Sequence, residues 1–388
     1  MTIRSPLFED MKRTDVSSRQ SNEPFFTYLN RSAHYKAIGI RARLESWFER
    51  FPAEAQDDVR GRLRADDDQA HQGAVFELFI HELLTRLDCT IKVHPNVPGT
   101  ESRPDFLVCH GSCPFYVEAK VVDPTSSPFA HNPLEKDAVA KINMLTSPYF
   151  HIFAQVGGKL LSALSREQVV QPFIDLLATH DPDEVQRLID REGQFAAPSR
   201  TIKCGSWRLQ GWLQPIAPEK RGDDESRTLV IGPARTEAVD SSTPVQRAIR
   251  KKAGKYGQLD APLVVAVNVR DSFFDKDDEM EALFGKEQIV YFEERPDLST
   301  KISRKPDGVW TQGGYQPRYK RLAAVLVFRD LVPWSLRNVP NCLYVNPFAD
   351  DMKLPDVLYR LPHARAYKGK IQWSEGENIG RLLGDGED

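Results

Sequence analysis

The sequence predicts an α/β protein: a mixed central sheet flanked by helices, with an N-terminal helical segment and a C-terminal α/β extension. Three observations predict it. From about Gly73 to Leu87 the stretch AVFELFIHELLTRL is apolar at nearly every helical turn. Two strand-like stretches, DFLVC and PFYVEAKVV, are separated only by HGSC and read as a hairpin. PLVVAVNV is a continuous run, apolar but for Asn268, that fits a strand buried on both faces, and LAAVLVF is one more.

Residues 1–22 are polar and are expected to form a flexible tail. Residues 23–69 form a helical segment in which Ile38, Ile40, Leu44, Trp47 and Phe48 share one buried face, and Asp66-Asp67-Asp68 punctuates the chain. Residues 70–160 are the expected core. Its helix is followed by the short strand TIKVHP and the hairpin. A second helix then starts at Asn132-Pro133-Leu134-Glu135, with Asn as cap, Pro at the first helical position and Glu at the third. The strand YFHIFAQV completes the order helix, strand, strand, strand, helix, strand, with a right-handed crossover before the last strand. Residues 161–376 are expected to complete the sheet and to contribute a basic surface, and 377–388 to form a tail. Within the extension, 166–190 reads as helical, 200–216 as a hairpin with Trp207 and Trp212, and 295–320 as a long loop. A further helix starts at Thr243-Pro244-Val245-Gln246. Either 133–156 or 244–269 could supply the helix and strand that close the core; spacing favours the first.

The chain has 388 residues, 40% hydrophobic and 28% charged, which suits a globular protein of one large domain or two. A net charge of −3 gives no global basic field, so binding of nucleic acid would depend on local patches or on metal. There is no run of about 18 apolar residues and no apolar stretch at the N-terminus, so a cytoplasmic protein is expected. The five cysteines, Cys89, Cys109, Cys113, Cys204 and Cys342, are odd in number and scattered, which argues against a disulfide framework. Cys109 and Cys113 read as the ends of the hairpin turn, with a zinc site as the alternative. The sequence has no phosphate-loop, nucleophile-elbow, HExxH or dinucleotide-binding glycine pattern.

The hairpin carries the chemistry. With HGSC at its tip, Cys109 lies opposite Pro114, and counting outward brings Asp105 opposite Glu118. Such side chains share a face at about 5 Å between Cβ atoms. Alternation adds Lys120 and Tyr116 to the same face. Two carboxylates at about 5 Å repel by about 3 kcal/mol at an effective dielectric of about 20. Lys120 offsets part of this and a divalent cation would offset more. Mg²⁺ is the natural candidate, because it takes hard oxygen ligands from one or two carboxylates plus a substrate phosphate. The carbonyl of Ala119 could add a ligand.

Arg103-Pro104-Asp105 and Glu118-Ala119-Lys120 resemble the two halves of the PD-(D/E)XK signature of restriction-endonuclease-like nucleases. Phe76-Glu77 on the preceding helix is similar to the Phe-Glu helix of Mrr-like and Holliday-junction-resolvase-like members. The resemblance covers about residues 70–157 and shares the family's core order. It implies a restriction-endonuclease-like core and a metal-dependent nuclease. Asp105 and Glu118 would hold Mg²⁺ (or Mn²⁺) and Lys120 would orient the attacking water. Cleavage would leave 5′-phosphate and 3′-hydroxyl ends. Glu77 would be an outer or second-metal ligand. Glu77, His81 and Thr85 form a polar stripe at helical spacing, which faces either water or the metal site.

Arg247, Lys251 and Lys255 recur every fourth residue, with Arg250 and Lys252 nearby, in a stripe that can track phosphates or simply face solvent. Lys301, Arg304, Lys305, Arg318, Lys320 and Arg321 surround Trp310, Tyr315 and Tyr319, a mixture suited to single strands or to an ordinary polar loop. The expected activity is endonucleolytic cleavage of nucleic acid, foremost DNA, in restriction, repair or defence. The alternatives are a nuclease-like binding or scaffold module and a partner-activated subunit of a defence complex. A homodimer or a partner protein is expected beside the nucleic acid, since double-strand cleavage by such sites often uses two of them.

Overall fold

The computed structural model describes residues 5–20, 23–123, 133–157, 160–193, 196–205, 207–222, 229–231, 241–257, 259–271, 274–290, 301–313, 316–317, 319–334, 336–337, 339–349, 353–367 and 370–384. The chain divides into two compact units. The first comprises Met1–Arg19, Pro24–Pro124 and Asp240–Asp388, and the second Gln20–Glu23 and Thr125–Val239.

In chain order the first unit opens with helices α1 (Phe25–Arg31), α2 (Tyr35–Arg50), α3 (Gln56–Leu63) and α4 (Asp68–Arg86). Strands β1 (Thr90–Val93), β2 (Phe106–His110) and β3 (Cys113–Val122) follow. The second unit holds α5 (Pro133–Asn143), β4 (Phe150–Gly157), α6 (Arg166–Ala178), α7 (Pro182–Glu192), β5 (Ser199–Cys204), β6 (Trp207–Pro215) and β7 (Leu229–Ile231). The chain then returns to the first unit with α8 (Ser242–Ala253), β8 (Leu263–Val269), α9 (Lys276–Phe284), β9 (Glu287–Val290) and β10 (Lys301–Arg304). It ends with β11 (Gln312–Gly313), β12 (Gln316–Pro317), β13 (Leu322–Arg329), β14 (Asn341–Val345), β15 (His363–Tyr367), β16 (Lys370–Ser374) and α10 (Ile379–Leu382).

The first unit is a mixed eight-stranded sheet in the order β1-β2-β3-β8-β13-β14-β15-β16. β1, β2 and β3 are antiparallel neighbours, while β8 runs parallel to both β3 and β13. All seven residues of β8 are buried, as a central strand requires. One face of the sheet packs Val117, Val264, Ala266 and Phe328 against Phe76, Phe79 and Leu83 of α4. The other packs Tyr116, Val265, Val267 and Val325 against Val245 and Ile249 of α8 and Ala282 and Leu283 of α9. Tyr116 and Val122 of β3 therefore look toward α8, and by alternation so do Glu118 and Lys120. The mixed α/β architecture with helices on both faces agrees with the sequence reading.

The second unit has its own sheet, β5-β6-β4-β7, and its own core around Phe150, Ile152, Phe173, Trp207 and Leu213. This corrects the expected core. Its closing helix and strand are α8 and β8 (residues 242–269), not 133–156, so the single core drawn over residues 70–160 is interrupted after β3. The physical reason lies in the strands themselves. Ile152, Ala154 and Val156 of β4 alternate with half-buried neighbours, the pattern of a strand with one packed face.

Both expected tails need correction as well. Leu7 and Phe8 are buried, and their N–H groups donate to the Glu45 carboxylate at 2.7 and 3.1 Å. Polar contacts hold the rest of the segment, among them Arg31 with Asp15 at 2.6 Å. At the other end Asn378 caps α10, Ile379 is buried, and Arg360 pairs with Glu377 at 2.6 Å. Residues 1–4, 21–22 and 385–388, the expected helix cap Asn132, and residues 295–300, 314–315 and 318 of the expected loop, with Tyr315 and Arg318, lie outside the described residues; the described part of that loop is not wholly irregular but holds β10, β11 and β12. The five cysteines are free thiols. Among the described residues no helix is long and apolar enough to cross a membrane.

Candidate functional site

The hairpin register is the expected one: Cys109 pairs with Pro114 and Phe106 with Val117. The turn is tighter than the whole of HGSC. His110 pairs with Cys113, leaving Gly111 and Ser112 at the tip, with Gly111 at φ 60° as a two-residue primed turn needs. Asp105 and Glu118 occupy the next position outward. There the Asp105 side chain continues the ladder, its Oδ2 accepting the Ala119 N–H at 2.7 Å. The Asp105 carbonyl accepts the His94 N–H at 2.9 Å, which ties the start of β2 to the end of β1.

Glu118 is fully buried. Burial first, and then the charge of Asp105, pushes its carboxyl up to about 8, against the pull of Lys252 and Lys255. Lys252 approaches from α8. Its ammonium donates to Glu118 Oε2 and lies 3.7 Å from Asp105 Oδ2. Lys255, just past the helix, is 3.9 Å from Glu118 Oε1. Lys120 is half-buried, and burial, followed by Lys252 and Lys251, holds its ammonium below the usual lysine range. Tyr116, on the same face, donates its hydroxyl to Asp260 at 2.8 Å.

Glu77 comes from α4, whose N-terminus is capped by Asp67. Arg62 of α3 holds its Oε2 at 2.6 Å, and His94 Nε2 lies 3.6 Å from its Oε1. Burial raises its carboxyl, Arg62 opposes that, and Asp105 adds to it. The charges of Asp105 and Lys252 thus reach Glu77, which belongs to the same electrostatic cluster. The polar stripe on α4 does not continue as expected. His81 packs between Phe51 and Phe106, at 4.9 and 6.2 Å between ring centres, and burial brings its imidazole down to about 4. It is a neutral core residue, and only Thr85 of the stripe is exposed.

The structure therefore brings Glu77, Asp105, Glu118, Ala119 and Lys120 together. It treats the basic stripe unevenly. Arg247, Lys251 and Lys255 are exposed. Arg250 points elsewhere, donating to the Asp307 and Gly308 carbonyls at 2.8 and 2.9 Å. Lys252, named in the sequence only as a neighbour of the stripe, is the residue that enters the site. Arg62 and His94 had no sequence signal of their own.

Among the described residues no three His, Cys, Asp or Glu side chains converge as a ready cage for a metal ion. The donor set nonetheless suits a hard divalent cation. Glu77 Oε1 and Glu118 Oε1 are buried without hydrogen-bond partners, and the gap between Glu118 and Asp105 already accommodates a positive charge. Comparison with family models, curated proteins and solved structures finds no match to this chain.

Proposed function

We propose that the chain is a metal-dependent nuclease with a restriction-endonuclease-like core, formed by α4, β1, β2, β3, α8 and β8, that cleaves DNA. The observation that carries this reading is the Asp105–Glu118 pair, one member fully buried, facing a cation. Burying like charges together is costly and fits a site that has a cation to bind.

Asp105 and Glu118, with the Ala119 carbonyl and Glu77, would hold Mg²⁺ or Mn²⁺. When bound, the ion supplies Lewis-acid polarisation of a phosphoryl oxygen and a more acidic water. The chain's own residues do the rest. The Ala119 N–H fixes the Asp105 carboxylate in place. Arg62 fixes Glu77. Lys120 presents its ammonium to the charge that develops on the phosphoryl group and orients the attacking water. Arg247, Lys251 and Lys255, exposed along α8 and just beyond it, would track the phosphates that lead into the site. Cleavage assays on Lys120→Ala test this: loss of cutting by a folded protein is expected, and undiminished cutting would sink the assignment.

Lys252 favours a second reading, a nuclease switched on by a partner. The carboxylate pair is already neutralised from within, so a divalent cation has to displace an ammonium held by α8. A partner or substrate that draws α8 outward would lower that barrier.

A further inference from the structure

Arg304, Lys305 and Trp310, all from the basic and aromatic stretch seen in the sequence, line one cavity of about 470 Å³ with Phe284, Phe348 and Lys370. None of the described residues lining it is acidic. Lys305 and Lys370 are exposed at its rim. Trp310 is 2% exposed and meets Phe284 edge to face at 5.5 Å. Its indole N–H is buried without an acceptor among the described residues.

The cavity wall is built rather than loose. The N–H groups of Val309 and Trp310 donate to the Ala282 and Leu283 carbonyls of α9 at 3.0 and 2.8 Å. Gly285 ends α9 at φ 92°, and a Cβ there would stand 2.0 Å from the Lys305 carbonyl oxygen, so only glycine permits the approach. Arg250 and Gln246 of α8 clamp the same loop through the Asp307 carbonyl. The helix that delivers Lys252 to the carboxylates thus also braces this cavity. Cavities of about 300–1,000 Å³ suit small-molecule groups, and one of about 150 Å³ already admits a benzene ring. This one has room for a base together with its sugar or phosphate.

We propose that the cavity receives one nucleotide of a nucleic-acid strand, its base against Phe284 and Phe348, with Trp310 packed behind them, and its phosphates on Lys305 and Lys370. The proposal rests on the nuclease reading and deepens it. It names single-stranded or locally splayed nucleic acid as the form bound, because a base inside a duplex cannot enter a pocket. Ala366 of β15 is part of the lining, and β15 lies four strands from β3 in the sheet. At about 4.8 Å per strand the separation from Glu118 is roughly 19 Å, a span of several nucleotides.

The test measures fluorescence anisotropy of a labelled twelve-nucleotide thymidine strand and of the matching duplex. It uses wild type and a Lys305→Ala/Lys370→Ala variant, with EDTA in place of metal so that nothing is cut. The variant should bind the single strand about tenfold more weakly, with a salt slope smaller by about 1.4 for two lost phosphate contacts. Its duplex affinity should change by no more than about twofold. Unchanged single-strand affinity in the variant would overturn the pocket, and it leaves the nuclease standing if wild type cuts with metal. Weakened single-strand binding by the variant, with no cutting by wild type under any metal, would keep the pocket and remove the nuclease. Displacement of the strand by an equal site concentration of thymidine monophosphate would assign the cavity to free nucleotides and overturn the strand proposal.

Discussion

The ammonium of Lys252 donates to the buried carboxylate of Glu118, from a helix 134 positions further along the chain. Two elements separated by an entire second unit thereby meet at one charge. A divalent cation bound to Asp105 and Glu118 would occupy the place this ammonium now takes, so the two compete.

Replacing Lys252 by Met makes that competition measurable. Removing one partner of a buried pair costs about 3–5 kcal/mol. The Lys252 side chain is 21% exposed, so a value discounted below that range for solvent screening, roughly 2–3 kcal/mol, is expected in metal-free buffer. Mg²⁺ should then raise the melting temperature of the variant more than that of wild type. Equal Mg²⁺ shifts in the two proteins would mean that the ion binds elsewhere.

Acidity gives a second handle. The folded-state carboxyl of Glu118 is raised from 4.5 to about 8. The folded state therefore binds the proton more tightly than the unfolded chain. Stability from this group is present below about 4.5 and is lost as pH rises through about 8. Glu118→Gln, which does not titrate, should flatten that decline. Cation binding has to displace the proton below pH 8, so apparent affinity should climb up to about that pH and then level off. Calorimetric titration in buffers of different ionisation enthalpy would detect the released proton; binding without proton release at neutral pH would contradict the assignment.

Arg62, 33% exposed, pairs with the buried Glu77 at the same site. Arg62→Ala should destabilise the fold by about 2–3 kcal/mol, the cost of a broken buried pair discounted for the exposure of Arg62, because it leaves the buried Glu77 carboxylate with only His94 at 3.6 Å. Adding Glu77→Gln should recover a good part of that loss. Denaturant unfolding of the two single variants and the double variant gives the coupling, and strictly additive losses would show the pair to be unimportant.

The basic residues of α8 should separate by role. Lys251→Ala should weaken duplex binding and lower the salt slope by about 0.9, as loss of one phosphate contact requires. Arg250→Ala should instead lower stability, since its guanidinium is committed to the Asp307 and Gly308 carbonyls. Binding at several salt concentrations, with melting curves in parallel, distinguishes the two; a salt-slope change confined to Arg250→Ala would reverse the assignment.

The hairpin was legible because it is local. Once Gly111 and Ser112 are placed at the tip, register follows by counting, and Asp105, Glu118 and Lys120 fall on one face. The closure of the sheet was not legible from spacing, since residues 133–156 offer a helix and strand at an ordinary distance from β3. The discriminating signal was nonetheless in the sequence. Leu263–Val269 is apolar throughout except for Asn268, whereas His151, Gln155 and Gly157 put polar or small residues on one face of Phe150–Gly157, and only the first pattern suits a strand with helices on both faces. Choosing β8 on that ground would have brought Lys252 to Glu118. Arg62 and His94 could not be foreseen, because their partnership with Glu77 depends on how α3 and β1 pack against α4. Leu7 and Phe8 were a short apolar signal within a polar stretch.

The most direct test of the account is cleavage of supercoiled plasmid and of single-stranded DNA in Mg²⁺, Mn²⁺ or EDTA by wild type and by Asp105→Asn. Asparagine can still accept the Ala119 N–H, so this variant should fold normally. Cutting with Mg²⁺ or Mn²⁺, none in EDTA, and a loss of at least about a hundredfold in the variant are predicted. Undiminished cutting by Asp105→Asn, or no cutting by folded wild type under either metal, would contradict the central claim.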